Sequence, residues 1–270
     1  MSISSVLSQE NPGFQLPHKS ILELADFQRP PGVSLNTQKN LMLLTYRNTY
    51  KALADLNQQE ISLAGLRVNP ITNINASISY VNTLKMRWLH QETEIDFEGL
   101  SNNMRIANIS WSPDESHIAF TNTVETGVEL WIANFATAKA TKLTQATVNA
   151  NVGNPLSWFA DSIRLLVRML PEKPQPIIDT RNAMPTGPII SVSDGSISQN
   201  RTYQDLLKNP TDEANFISLT SSELYVVDID GSKKLYKETD LYVNEIVSPD
   251  GNFVLLTTLK KPFSYLVPLH

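Results

Sequence analysis

Cysteine is absent from the 270 residues. That excludes disulfides, thiolate zinc sites, iron–sulfur clusters and a cysteine nucleophile. It leaves the compartment open, because exported proteins also exist without cysteine. An excess of positive charge is missing too: 27 acidic residues outweigh 22 basic ones, for a net charge of -5 with no Lys/Arg-rich run. Nucleic acid is therefore not an expected partner. No apolar stretch reaches the ~18 residues of a membrane span, so no membrane contact is expected. The start, residues 1–13, is polar and lacks the basic flank and apolar stretch of a signal peptide. The location is left unassigned: periplasmic or secreted if an export signal precedes this start, otherwise cytoplasmic. Glycine is scarce, and none of the ten glycines takes the Gly-x-Ser-x-Gly spacing of a hydrolase nucleophile elbow.

A recurring phrase is present instead. Ile109-Ser110-Trp111-Ser112-Pro113-Asp114 runs into Ser116-His117-Ile118-Ala119-Phe120, and Ile246-Val247-Ser248-Pro249-Asp250-Gly251 runs into Asn252-Phe253-Val254-Leu255-Leu256. Each copy reads as strand, type I turn, strand, with proline fixing φ at the second turn position and Asp at the third. Two weaker copies keep the apolar frame, at 156–167 and 33–44. A second phrase, Glu129-Leu130-Trp131-Ile132 to 144 and Glu223-Leu224-Tyr225-Val226 to 236, predicts further hairpins, with Asp230-Gly231 as a strong turn signal. Repeated strand–turn–strand units imply the blades of a β-propeller. One four-stranded blade is legible from about Ile106 to Thr144.

The expected fold class is all-β: an incomplete β-propeller of about four to five four-stranded blades with helical and Pro-rich insertions. Residues 1–30 would form an N-terminal extension and 31–270 the partial propeller. The copies are unevenly spaced, with 47 residues from Ser110 to Ser157 but 76 from Ser34 to Ser110 and 91 from Ser157 to Ser248. Leu53 to Asn75 is rich in helix formers and predicts a helical insertion. Pro171 to Pro188 holds five prolines and predicts an extended loop. Residues 201–208 predict a short helix ended by Pro210. The strand at the very end, 262–270, is read as continuing into a longer protein.

Other chemistry-bearing residues have ordinary explanations. His18, His90, His117 and His270 lack metal-ligand spacing, so neither metal nor cofactor is expected. The paired acids Asp114/Glu115, Glu92/Glu94/Asp96 and Asp212/Glu213 read as solvated turns and edges. Trp111, Trp131 and Trp158 occupy fixed places in the repeat and read as packing between blades. Asp194-Gly195-Ser196 reads as a hairpin turn.

Several longer phrases resemble one family. They are Pro30-Pro31-Gly32-Val33-Ser34-Leu35, Leu63-Ala64-Gly65-Leu66-Arg67-Val68-Asn69-Pro70, Trp111-Ser112-Pro113-Asp114, Arg201-Thr202-Tyr203-Gln204-Asp205-Leu206-Leu207-Lys208 and Lys261-Pro262-Phe263-Ser264-Tyr265-Leu266-Val267-Pro268. In this order they resemble the propeller of prolyl-oligopeptidase-type serine peptidases, and within that group the glutamyl endopeptidase branch. The resemblance implies that catalysis belongs to a C-terminal α/β-hydrolase domain absent from this chain. It also implies that the propeller gates and orients peptide substrates for that domain. No residue of this chain is then catalytic. Arg67 and Arg181, each in a long loop beside proline, are the candidate substrate-binding residues. A guanidinium can grip an acidic side chain with two hydrogen bonds; the alternative for each is a surface or structural ion pair. Two other readings stay open: a free-standing TolB-like propeller serving protein interactions, and an enzyme with its site inside the propeller, such as a glycosidase or lyase.

Overall fold

The computed structural model describes residues 16–102, 104–179, 195 and 202–269. After a short helix α1 (Lys19–Ala25) come strands β1 (Gly32–Leu35) and β2 (Leu41–Tyr46). A helical turn α2 (Leu53–Leu56) and strands β3 (Ile61–Leu63), β4 (Leu66–Asn69) and β5 (Ile74–Asn75) precede β6 (Thr83–Trp88) and β7 (Ile95–Asp96). Next are β8 (Ile106–Trp111), β9 (His117–Val124), β10 (Gly127–Asn134) and β11 (Lys139–Lys142). Strands β12 (Leu156–Trp158) and β13 (Arg164–Met169) lead to helix α3 (Pro210–Thr220), then β14 (Ser222–Asp228) and β15 (Lys233–Asp240). The hairpin β16 (Tyr242–Val247) and β17 (Val254–Thr258) follows.

These strands form three four-stranded antiparallel sheets, β1-β2-β6-β7, β8-β9-β10-β11 and β12-β13-β14-β15, plus the β16-β17 pair and a three-stranded sheet β3-β4-β5. The molecule is all-β and propeller-like. The sheets stand side by side through their first strands. Trp111 Nε1 on β8 donates to Ser34 Oγ on β1 (3.2 Å). Trp158 Nε1 on β12 donates to Ser110 O on β8 (3.2 Å), and Ser157 Oγ donates to Glu245 O on β16 (2.7 Å). Trp111 and Trp158 do pack between sheets, and Trp111 also stacks on Phe135 at 4.6 Å; Trp131 donates to Glu129 and stacks on Phe120 within its own sheet.

Strand periodicity explains the cores. On β9, Ile118 and Phe120 face the first sheet's Leu41, Leu43 and Met86, whereas Ala119 joins the cluster shared with the third sheet. On β13, Leu165 and Val167 face the second sheet and Leu166 packs with Tyr242 of β16. Apolar runs on β9 and β13 thus serve two covered faces.

Both weak copies of the repeat are real. All four turns carry a hydrogen bond from the fourth residue to the first: Lys39 N to Asn36 O, Glu115 N to Ser112 O, Ser162 N to Phe159 O and Gly251 N to Ser248 O. In each, that fourth residue is left-handed, with φ of 54°, 59°, 58° and 72°. Only Gly251 adopts this without steric cost.

Two expectations about the insertions are corrected. Residues 53–75 form one four-residue helical turn and then the β3-β4-β5 sheet, not a helical insertion. The Ala64-Gly65 pair, with φ of 56° and 89°, closes the β3–β4 hairpin as a left-handed two-residue turn. Residues 202–208 are not helical; the helix begins at Pro210. Proline lacks the N–H that would be orphaned at the first helical position, so it starts this helix rather than ending one. Asn209 caps it by accepting from Asp212 N (2.9 Å), and Asp212 and Glu213 face the positive end of the helix dipole.

Candidate functional site

The four repeat turns lie along one side. Thr37 N and Oγ1 donate to Glu115 Oε1 (2.8 and 2.6 Å), Asp114 N donates to Ser162 Oγ (3.0 Å), and Gly251 approaches Ala160. Strands β2 and β13 run away from these turns. The two long connections that leave their far ends, 47–82 and 170–221, therefore emerge on the opposite side.

There they build one unit. Leu63, Leu66 and Val68 of the β3–β4 hairpin pack with Leu207, with Phe216 and Leu219 of α3, and with Phe263. Phe216 meets Phe263 edge-on at 5.6 Å. Backbone hydrogen bonds tie the pieces: Gly65 N donates to Asp205 O (2.9 Å) and Leu269 N donates to Ala64 O (3.0 Å). Buried Asn149 and Asn151 each donate through Nδ2 to Leu219 O, at 3.1 and 2.7 Å, which satisfies carbonyls at the end of α3. Asn215 pairs with both backbone groups of Ile178, tethering the Pro-rich stretch. Tyr265 Oη and Lys261 Nζ both reach Glu213, at 2.7 and 3.1 Å.

Arg67 sits on this unit, on strand β4 rather than in the expected loop. Its Nε donates to Asp205 Oδ2 (2.9 Å), 138 residues away, and Nη1 lies 3.8 Å from Glu60. The Asp205 hydrogen bond, with the charges of Asp205 and Glu60, holds the guanidinium above its ordinary range. Its side chain is 46% exposed, so the outward edge meets solvent. Arg181 lies outside the described residues, as do His270 and most of the 194–198 turn.

Asp114, Ser116 and His117 stand together and invite comparison with a catalytic triad. Ser116 Oγ lies 2.6 Å from His117 Nδ1 and donates to Asp114. Asn134 Oδ1 accepts from Thr137 N (2.9 Å), which turns its Nδ2 toward His117 Nε2 at 2.8 Å. Nε2 therefore accepts, Nδ1 carries the proton, and the ring cannot take a proton from Ser116. A triad needs the carboxylate on the histidine's other nitrogen; here Asp114 holds the serine and the turn. Burial pushes the His117 pKa down, against the pull of Asp114.

Glu94 and Asp96 are used by the fold. Glu94 accepts from Tyr46 Oη (2.7 Å), and Lys85 reaches both Glu94 and Asp96. Among the described residues, no group of three or more His, Asp or Glu side chains is placed to hold a metal, and no helix is long and apolar enough to cross a membrane.

Two polar sites had no local sequence signal. Arg168 on β13 is buried to 1% and spans the seam to β16, donating to Tyr242 O (3.1 Å) and Asn154 O (2.6 Å) with Glu245 at 3.4 Å. Glu129 accepts from Asn122, Trp131 and Lys142.

No family model matches the chain. It is similar to two proteins named probable glutamyl endopeptidase, chloroplastic. The one from Oryza sativa subsp. japonica is 27% identical over 276 residues, covering 97% of this chain and 29% of that protein. The one from Arabidopsis thaliana is 28% identical over 273 residues, covering 95% and 28%. The chain thus spans under a third of the length of these relatives. A solved structure of a prolyl endopeptidase is 12% identical, with a TM-score of 0.43, covering 90% of this chain and 28% of that one. The resemblance drawn from short phrases thus extends, as similarity to proteins named probable glutamyl endopeptidase, over nearly the whole sequence.

Proposed function

We propose that this chain, similar along its length to glutamyl endopeptidases, is the non-catalytic propeller portion of a serine peptidase. In that reading residues 31–270 form four to five blades of an incomplete ring, and a C-terminal hydrolase domain of the whole protein breaks the bond. The chain gates and orients peptides. The observation that carries this is the one-sided build-up: two connections from different sheets and the 259–269 stretch pack into a single unit opposite the turns. Long connections on a rigid scaffold are where ligands and partner domains are met, and binding energy there improves positioning rather than bond cleavage.

Arg67, with Arg181, recruits an acidic substrate side chain. Asp205 orients the Arg67 fork from behind, and an incoming carboxylate would take the outward edge now facing Glu60 at 3.8 Å. The test is a protein carrying both parts, with Arg67→Ala and Arg181→Ala compared on peptides cut after Glu and after Gln. The expected result is a loss of Glu-over-Gln preference of at least about tenfold in one variant, as for a lost charge-assisted pair. Unchanged discrimination in both would remove the arginines from the account. A whole protein without a hydrolase domain would remove the peptidase reading itself.

A further inference from the structure

Three cations that pair with no acid among the described residues share one cleft beside the first sheet. Arg29, Arg47 and Lys51 line it together with Tyr50, Tyr80 and Asn82. The chain as a whole is acidic, at -5, and four other arginines are paired with acids: Arg67 with Asp205, Arg105 with Asp55, Arg164 with Asp161, Arg168 with Glu245. The acid in this lining, Asp55, is thus occupied by Arg105, whose guanidinium also lies 4.8 Å from the centre of the Tyr80 ring. No ion pair or side-chain hydrogen bond engages Arg29, Arg47 or Lys51 among the described residues.

The cleft is held in shape by the backbone. Tyr50 Oη donates to Ala25 O (2.9 Å) and the Thr49 hydroxyl donates to Phe27 O, so residues 25–29 are strapped across the end of β2. Asn48 N donates to Asn82 Oδ1 (2.9 Å), which fixes the chain carrying Arg47 and Lys51 against the start of β6. Pro30 and Pro31 stiffen the exit of the segment that bears Arg29. Like charges gathered in one cleft repel until a counter-charge arrives. A single carboxylate, with one negative charge, under-neutralises three cations. A phosphate group carries about -1.5 to -2 charges and three acceptor oxygens at neutral pH, and forked guanidinium donors match it.

We propose that the cleft of Arg29, Arg47 and Lys51 binds a phosphate dianion, either free or as a monoester on a peptide. Calorimetric titration of the chain with inorganic phosphate, with a phosphoserine peptide and with acetate tests it. Saturable one-to-one binding of phosphate or of the phosphopeptide is expected. The Arg29→Ala/Arg47→Ala double variant should weaken it by at least about tenfold, and Lys139→Ala, on a distant strand, should leave it unchanged. Equal affinities for the two ligands would identify the phosphate group alone as the ligand, and binding of the peptide only would identify a phosphopeptide. Because the three side chains are exposed, circular dichroism should show the variants folded. Absence of saturable binding, acetate binding as tightly as phosphate, or an unaltered double variant would overturn the proposal.

Discussion

The side of the molecule that carries the turns and the side that carries the insertions are built by opposite means. On the turn side, four copies of one local motif touch through short polar contacts such as Thr37 to Glu115 and Asp114 to Ser162. On the insertion side, residues distant in sequence meet in one unit: Gly65 with Asp205, Phe216 with Phe263, Asn149 with Leu219. A repeat can fix its own geometry turn by turn, whereas the insertions are ordered only by one another. Their stability should therefore be collective and sensitive to single buried changes.

The largest expected effect sharpens this contrast at the buried ion pair near the insertion end of β13. Arg168→Ala leaves Glu245 buried without its counter-charge and should cost about 3–5 kcal/mol in urea unfolding. Burial already pushes the Glu245 carboxyl pKa up, with Arg168 pulling it back only in part. The Arg168→Met/Glu245→Leu pair should recover part of that loss, because it removes the uncompensated charge while Tyr242 O and Asn154 O still lose their donor. A loss well under 1 kcal/mol for Arg168→Ala, the range of an exposed pair, would show the seam to be wet.

Leu219→Ala comes next, at about 2–5 kcal/mol for a fully buried leucine. Its side chain lies in the shared core of α3 and the β3–β4 hairpin. Loss confined to α3, with the hairpin's protection intact, would break the claim that the insertions form one unit.

The smallest effect belongs to the turn side and depends on pH. Asp114 is lowered to about 2: partial burial raises it, but hydrogen bonds from Ser112, Ser116 and Ser162 outweigh that. A carboxylate depressed in the folded state contributes stability above its unfolded pKa and loses it as pH falls through the folded value. The contribution should be complete above about pH 5 and fade toward pH 2. Because Asp114 is exposed, solvent screening limits it to about 1 kcal/mol or less. Asp114→Asn should flatten the acid limb of the stability curve by that amount; an unchanged limb would mean the turn does not need the charge.

The same contrast decides what was legible in the sequence. Turn geometry is local, so Ser112-Pro113-Asp114 and Ser248-Pro249-Asp250 declared their hairpins, and even the proline-free copies at 36–39 and 159–162 kept the frame. The packing role of Trp111 and Trp158 followed from their fixed place beside a turn. In the insertions, turn chemistry overrides composition. Ala52 to Gln59 looks helical, yet Ala64-Gly65 between two alternating triplets, Ile61-Ser62-Leu63 and Leu66-Arg67-Val68, is the hairpin signal. Pro210 was read as a stop although Asn209 and Asp212 around it form a start. Arg67 was singled out, but its partner Asp205 lies too far along the chain for any spacing rule, and Arg168 with Glu245 has the same difficulty. The cationic cleft escaped because Arg29, Arg47 and Lys51 become neighbours only when residues 25–29 are strapped over β2.

Hydrogen exchange at two amides addresses the collective insertion unit most directly. Gly65 N–H, bonded to Asp205 O, and Leu269 N–H, bonded to Ala64 O, join pieces from three parts of the chain. Both amides should be protected in the unaltered protein and should lose protection together in Leu219→Ala, while Glu115 N–H on the turn side keeps its own. Fast exchange of Gly65 and Leu269 in the unaltered protein, or independent loss of the two, would contradict a single unit facing away from the turns.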